Sequence, residues 1–577
     1  MSRTTTVTAA GANSARPRRA AKLASDIAIF VHGGAAAGGE PSLEVGRLDG
    51  LELSSRQGGE VEDDLKVLVR EELAPHDAET REAVLERLAT ATAIEGDSSF
   101  ELSASLYGIR EVLRERLPRC EVSESQPAGL AVGEILAIDE RSFWVNGWVH
   151  DQDGLGQVTL VSPEGARVEL TERAYRYERP DVVQFYSGLG GEPIRDHGFI
   201  AHVTLPAPSR LASGWIAELK TSDGLELEIE CPAVSRDPLA IRSTILGELG
   251  QHGTVGGRLA ADHGRAALTC LQERLGGEAS VDSIDVYGEP PGDAAVSIVI
   301  PLYQRLDFLE HQMLQFSRDP EFAAIDLVYV LDSTEQEDEL AGKARELFGL
   351  YELPFRVVNL TSGAGFAGAN NLGIEVAAAE RLLLLNSDVI PDRPGWIGAM
   401  AEFYDATEGI GALGPKLLYE DDTLQHAGMY FQRQPGSEVW ENAHCFKGLH
   451  RSFPAANLTR PTPAVTAACM MVDRGLYEEV GGLPLHYVQG DYEDSELCLR
   501  FAEVGRQNWY LPTVELYHLE GQSYAPGVRR IPSEYNMWLH TSIWSERIES
   551  TMADFDPHSA GSPDGREAGA EVEANNG

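Results

Sequence analysis

Two aspartates each close an apolar run. Leu382-Leu383-Leu384-Leu385 breaks into Asn386-Ser387-Asp388 before Val389-Ile390-Pro391, and Leu327-Val328-Tyr329-Val330-Leu331 ends in Asp332. A short apolar run between polar turns suits a strand covered on both faces. An acid at its end then lies on the carboxyl edge of the sheet, where open α/β sheets bind ligands. Taken alone, Asn386-Ser387-Asp388 reads as a solvated turn; the surrounding motifs decide otherwise. Between the two acids, Gly363-Ala364-Gly365-Phe366-Ala367-Gly368-Ala369-Asn370-Asn371-Leu372-Gly373 opens a helix. A helix amino terminus presents free N–H groups and a positive dipole end to phosphate, and glycines let the backbone come close. The stretch is neither a Walker loop, since no Gly-Lys-Ser/Thr follows, nor a G-x-G-x-x-G turn after the first strand.

Farther on, Asp491-Tyr492-Glu493-Asp494-Ser495-Glu496 places four acids in six residues where a helix begins. That exceeds what capping or dipole complementation needs. A partly desolvated carboxylate cluster is suited to taking a proton from a hydroxyl. His518-Leu519-Glu520-Gly521-Gln522-Ser523 follows a β-type run. His426, in Leu424-Gln425-His426-Ala427-Gly428, reads as a structural hydrogen-bonding group.

These residues need a scaffold that repeats strand and helix. Val296–Pro301, Leu327–Asp332, Phe355–Asn359 and the leucine run read as strands, with helices over 306–316, 340–347 and the glycine-rich stretch between them. Alternation at this spacing predicts an α/β domain over 294–550 with a mostly parallel central sheet. Upstream, 127–236 changes to period two, with Phe143-Trp144-Val145 and Trp215-Ile216-Ala217 among many short runs, and predicts a β-sandwich-like domain. Its tryptophans Trp144, Trp148 and Trp215 are expected in the core. Residues 60–126 and 237–293 read as helical segments, and 1–59 and 551–577 as disordered tails.

The 577 residues carry 47 basic and 91 acidic side chains, a net charge of −44. Such a field excludes nucleic acid or anionic lipid as a partner bound through general charge. Six scattered cysteines show no metal-site or disulfide spacing, so a reducing cytosol is the expected compartment. No segment approaches the ~18 apolar residues of a membrane span, and no motif specifies an oligomer.

Taken in order, Val296–Pro301, Asp332, the glycine-rich stretch, Asn386-Ser387-Asp388, Gly481-Gly482, Glu493–Arg500 and the His518 segment resemble glycosyltransferase family 2, and within it the rhamnosyltransferase-like bacterial branch. The resemblance covers Val296 to Ile548. It implies an inverting transferase of the GT-A fold, with a nucleotide-sugar donor (dTDP- or UDP-linked) and a glycan or lipid-linked glycan acceptor of the cell surface, working in the cytoplasm or peripherally at the inner membrane face. It places Pro301, Asp332, Gly365, Asn370, Asn386 and Asp388 at the donor and a Mg²⁺ or Mn²⁺ ion on Asp388 and His518. It makes Asp494 the catalytic base, with Glu493 the alternative one register away. This chain departs from the family's D-x-D motif at Asn386, and has Ser333-Thr334 where Asn/Ser is usual. Two rival readings are a sugar-phosphate nucleotidyltransferase, which carries a Gly/Arg-rich loop where Pro301-Leu302-Tyr303-Gln304-Arg305 stands, and a non-catalytic glycan-binding scaffold.

Overall fold

A computed structural model describes residues 116–557 apart from 153, 155, 190–194, 253–255 and 520–529, together with Tyr107, Gly108, Arg110, Glu111 and Arg114. It also gives the backbone of three short strands, Ile27–His32, Ser42–Arg47 and Ser54–Gln57. Those strands fall in the segment read from sequence as a disordered tail; the rest of that segment, the helical reading over 60–106 and the tail after 557 lie outside the described residues. The chain divides into two compact units, Met1–Leu271 and Gln272–Gly577.

In the first unit, Ala128–Ala137, Ser142–Asp151, Gly198–Thr204 and Tyr175–Tyr177 pair side by side. A second four-stranded sheet runs Glu226–Glu230, Ile216–Lys220, Gln157–Val161, Arg167–Glu169. All these pairings are antiparallel. Alternate residues of both sheets, among them Phe143, Val145, Leu160, Phe199, Trp215 and Leu219, meet in one apolar core. Trp144 and Trp215 are fully buried, whereas Trp148 is only partly covered.

The second unit is α/β. Its strands are β1 (Val281–Tyr287), β2 (Val296–Leu302), β3 (Ile325–Leu331), β4 (Phe355–Leu360), β5 (Arg381–Leu385), β6 (Val389–Pro391), β7 (Ile410–Leu418), β8 (Leu424–His426), β9 (Met429–Arg433), β10 (Trp440–His444), β11 (Arg460–Pro461), β12 (Cys469–Asp473) and β13 (Gln507–His518). Its longer helices are α1 (Asp307–Phe316), α2 (Glu337–Tyr351), α3 (Gly365–Val376), α4 (Trp396–Ala406), α5 (Glu493–Glu503) and α6 (Arg530–Met552). The main sheet runs β1-β4-β3-β2-β5-β12-β7-β13-β6. Strands β4, β3, β2 and β5 are mutually parallel. From β5 onward the pairing is mixed: β12 is antiparallel to both its neighbours, and β13 is parallel to β7 but antiparallel to β6.

Composition explains the parallel half. β3 is buried at all seven positions, and Leu382–Leu385 are at most 1% exposed, as strands sandwiched between helices must be. Helix α3 lies close on β2 and β3 because Gly373 faces them; a Cβ there would come within 2.5 Å of Val299 and 2.6 Å of Val330. The chain winds outward from β2 to β3 and β4, then returns to place β5 on the other side of β2. This reversal opens a crevice between the carboxyl ends of β2 and β5.

At the opposite, amino edge a buried ion pair ties the parallel strands together. The Asp326 carboxylate accepts from Ser297 Oγ (2.7 Å), the Ala378 N–H (2.8 Å) and the Arg356 guanidinium, whose Nη2 lies 2.6 and 2.7 Å from its two oxygens and whose Nε lies 3.1 Å from one of them. Arg356 also donates to the Val376 carbonyl. Removing only the cation strands a buried carboxylate, so Arg356→Met is expected to cost about 3–5 kcal/mol in urea denaturation, while Arg356→Met with Asp326→Leu recovers much of it. Equal losses in the single and double variants would sink this account.

Candidate active site

The crevice is lined by turns that other elements hold. After Leu385, the Asn386 N–H donates to the Ala468 carbonyl (2.9 Å). Gln312, fully buried on α1, donates its amide to the carbonyls of Asn386 and Val389 (2.9 and 3.0 Å). Strand β6 then pairs with the end of β13 so that Val389 faces His518, and the Leu519 N–H donates to the Asp388 carbonyl. This register brings His518 Nε2 to 3.4 Å from Asp388 Oδ1, with both side chains largely covered. Two atoms here are buried without a hydrogen-bond partner, Asn386 Oδ1 and His518 Nδ1.

Strand β13 is itself anchored just before His518. Fully buried Lys416 of β7 donates to Glu515 (2.7 Å) and Asn457 (2.6 Å), and Arg451 pairs with Glu515, Asp392 (3.0 Å) and Asp422 (2.9 Å). Asp422 also accepts from the Tyr517 hydroxyl at 2.7 Å. His426 is fully buried beneath this region, its Nδ1 2.9 Å from Nδ1 of His444. Burial first, then the imidazoles of His444 and His518, hold its pKa well below the usual histidine range.

At the end of β3, Asp332 turns back onto the glycine-rich stretch. Its Oδ1 accepts from the N–H groups of Ala364 (2.5 Å) and Gly365 (3.1 Å). Two N–H groups that the sequence reading left free for phosphate are therefore occupied by a protein carboxylate. Burial raises the Asp332 pKa to about 6, against the lowering effect of those two donors. Pro301, half-buried on β2, stands one strand away, beside β3 at Val330. Asn370 is fully buried within α3 and donates to the Phe366 carbonyl. The next residue, Asn371, performs the visible work: its amide bonds both the N–H and the carbonyl of Leu483, fixing the Gly481-Gly482 turn.

The acid cluster is reached through a loop of unusual backbone. Gln489, Gly490, Asp491 and Tyr492 have φ of 59°, 85°, 89° and 79°. Three of them are not glycine, and each pays roughly 1–2 kcal/mol for the left-handed conformation. Helix α5 starts immediately afterwards. Asp494 accepts from the Ala467 N–H (3.2 Å) and the Ser495 N–H (2.7 Å), and burial raises its pKa against these bonds and that of Thr466. Glu493 is buried. Glu496 is occupied structurally: it accepts from Tyr487 (2.6 Å), His486 (3.2 Å) and Arg500 (2.5 Å). Burial opposes its ionisation, but His486, Tyr487 and Arg500 outweigh it and bring the pKa down to about 2.

One short segment joins the two halves. Successive residues of 466–469 reach the Asp494 carboxylate through the Ala467 N–H and the Asn386 N–H through the Ala468 carbonyl. Asp494 and the Asn386–Asp388 turn therefore flank the same stretch of backbone. Among the described residues no three His, Cys, Asp or Glu side chains form a metal-holding group. Asp388 and His518 would supply two ligands.

Comparison with known proteins places this geometry. Residues 297–481 match the family model described as Glycosyl transferase family 2. Two curated relatives align over about two-fifths of the chain. One is the uncharacterized protein y4gI of Sinorhizobium fredii, 29% identical over 236 residues. The other is the O-antigen biosynthesis protein RfbC of Myxococcus xanthus, 30% identical over 241 residues. The aligned region spans 25% and 18% of their respective lengths. Solved structures with a likeness include GalNAc-T7 with UDP, GalNAc and Mn²⁺ (TM-score 0.35, 14% identity, 44% of this chain and 50% of that one). Another is the mannosyltransferase PcManGT of Pyrobaculum calidifontis with GDP-Man and Mn²⁺ (TM-score 0.30, 15% identity, 54% and 87%). These structural scores are too low to bear on function. The matched segment is similar to a family 2 glycosyltransferase domain and lies on the mixed α/β sheet described above.

The Asp332 carboxyl offers a test of its own. With its folded pKa raised from 3.8 to about 6, it binds its proton more tightly in the native chain, so its ionisation subtracts from stability as pH rises through that window. Asp332→Asn keeps the acceptor and removes the charge. It should be more stable than the parent at pH 8 by about 2–3 kcal/mol, an advantage that vanishes near pH 4. A pH-independent difference in urea denaturation would count against the burial assigned to this carboxyl.

Proposed function

We propose that the protein transfers a sugar from a nucleotide-diphosphate donor to a hydroxyl of a glycan or lipid-linked glycan, with inversion at the anomeric carbon. The observation that supports this reading is the shared backbone of 466–469, which hydrogen-bonds both the Asp494 carboxylate and the Asn386–Asp388 turn that carries the Asp388–His518 pair.

The donor half uses the crevice at the carboxyl ends of β2 and β5. Asp332 and Pro301 border the nucleoside there. Asp388 and His518 fit a divalent cation, Mg²⁺ or Mn²⁺, because one carboxylate and one imidazole converge and the nearby Asn386 Oδ1 has no other partner. Such an ion would neutralise the donor diphosphate in a chain whose own charge repels it. Asp494 accepts the proton of the acceptor hydroxyl as that oxygen attacks the sugar from the face opposite the diphosphate; the C–O bond to the diphosphate breaks and inversion follows. Burial raises the Asp494 pKa, which makes its carboxylate a stronger base.

The name of the Myxococcus relative, O-antigen biosynthesis, supports a surface polysaccharide as product, with rhamnose from dTDP-rhamnose the first donor to test. Among the described residues no helix is long and apolar enough to cross a membrane. We assign the work to the cytoplasm, at the inner membrane face when the acceptor is lipid-linked.

Two outcomes are expected. Asp494→Asn should lower transfer by roughly 10²–10⁴-fold while leaving binding of UDP or dTDP with Mn²⁺ unchanged in calorimetry; full activity in that variant would refute the assignment. With only two protein ligands, Mn²⁺ alone should bind weakly, with Kd on the order of 10⁻³ M, and much more tightly when a nucleoside diphosphate is present. Tight Mn²⁺ binding without nucleotide, followed by electron paramagnetic resonance, would overturn the shared-ligand site, as would His518→Ala behaving like the parent.

A further inference from the structure

We infer that Asn536, on the C-terminal helix α6, is a positioning residue for the base: its side-chain amide holds the left-handed loop 489–492 whose conformation sets the start of α5 and thereby the Asp494 carboxylate. The inference rests on Asp494 being the base.

Asn536 is fully buried, and its amide bonds the backbone of Val488, Gly490 and Asp491, at the start of this loop. Its Oδ1 accepts from the Val488 N–H at 2.9 Å. Its Nδ2 donates to the carbonyls of Val488 (2.9 Å) and Gly490 (3.0 Å), with the Asp491 carbonyl at 3.4 Å. An amide is the one short side chain that can satisfy a backbone donor and backbone acceptors together. Val488 and the left-handed residues that follow it lie in no helix or strand, and the amide takes up the Val488 N–H together with the carbonyls of Val488 and Gly490.

The same face of α6 grips both sides of the acid pair. Ser533 Oγ donates to Asp491 Oδ2 at 2.6 Å, before the pair. His540, one turn beyond Asn536, lies with Nε2 3.3 Å from Ser495 Oγ, after it, and its ring stands 5.1 Å from that of Tyr492. Residues 533, 536 and 540 recur at helical spacing on one stripe. Glu493 and Asp494 are thus suspended between two points of one helix. The titratable groups facing Asp494 are Asp491 and Tyr492 on the loop and Cys498 on α5, with the Thr466 hydroxyl and Ala467 N–H on the other side.

The test compares the full-length parent, Asn536→Ala and the isosteric Asn536→Asp. Assays follow nucleoside diphosphate release from a panel of UDP-, GDP- and dTDP-sugars with Mn²⁺, binding of UDP and dTDP with Mn²⁺, and amide hydrogen exchange over 488–494. Asn536→Ala is expected to lower kcat roughly 10–100-fold with nucleotide Kd and KM for the donor unchanged. Exchange across 488–494 should accelerate. The acid limb of the kcat profile should move to lower pH as solvent reaches the loosened carboxylate. Should Asn536→Ala fail to fold, Asn536→Asp and Ser533→Ala carry the same comparison, and hydrogen exchange needs no known donor. The inference is overturned if the folded variants keep the parent's kcat, acid limb and exchange, or if nucleotide affinity falls in step with kcat, which would mark a general structural loss. Parent-like Asp494→Asn would instead overturn the base assignment itself; an inactive Asp494→Asn beside parent-like Asn536 variants would remove this inference alone.

Discussion

Everything in the second unit that can do chemistry depends on the backbone of 466–469, a turn that runs into β12. Its Ala467 N–H donates to Asp494 and its Ala468 carbonyl accepts from the Asn386 N–H. Those residues then become β12, which pairs antiparallel with β5 so that Leu385 faces Cys469. The acid at the end of the leucine run and the acid at the start of α5 are more than a hundred residues apart in sequence, and one strand register makes them neighbours.

Charge gives the arrangement its difficulty. In the proposed reaction a chain of net charge −44 would receive an anionic donor among acids that include Asp332, Asp388 and Asp494. The structure reduces the number of anions it presents there. Asp332 is partly spent on the start of α3 and has a raised pKa. Asp494 is likewise pushed towards its neutral form by burial, and Glu496 is consumed by Arg500, His486 and Tyr487. Asn386 sets an uncharged amide two residues before Asp388, so that turn carries a single carboxylate.

The parts of this site that were legible in sequence are those set by local pattern. Apolar runs ending in Asp332 and Asp388, the glycine-rich opening of α3 and the acids opening α5 all announced themselves, because strand ends and first helical turns have compositional signatures. The free helix terminus did not survive, since a carboxylate 32 residues away fills it. Asn370 and Asn371 were indistinguishable in sequence; helical phase buries the first and turns the second to Leu483. Gln312 left a faint trace as a polar residue on the buried stripe of an amphipathic helix, beside Leu309, Met313 and Phe316. Nothing local could reveal the left-handed run at 489–492, where three of the four residues are not glycine and the stabilising amide lies over forty residues downstream. The mixed second half of the sheet was equally hidden, because strand direction is decided by connections rather than by composition.

The anchoring of β13 has a consequence for how a donor would be received. His518 ends a strand whose Glu515 is fastened by Lys416 and Arg451, and Asp388 lies in a turn fastened by Gln312 and the Ala468 carbonyl. The imidazole and the carboxylate are therefore set by folding itself, before any ligand arrives. Their conformational entropy is lost once, when the chain folds, and is not charged again at each turnover. Association at this half of the crevice is then a matter of encounter and desolvation, and little of the affinity is diverted into ordering the protein.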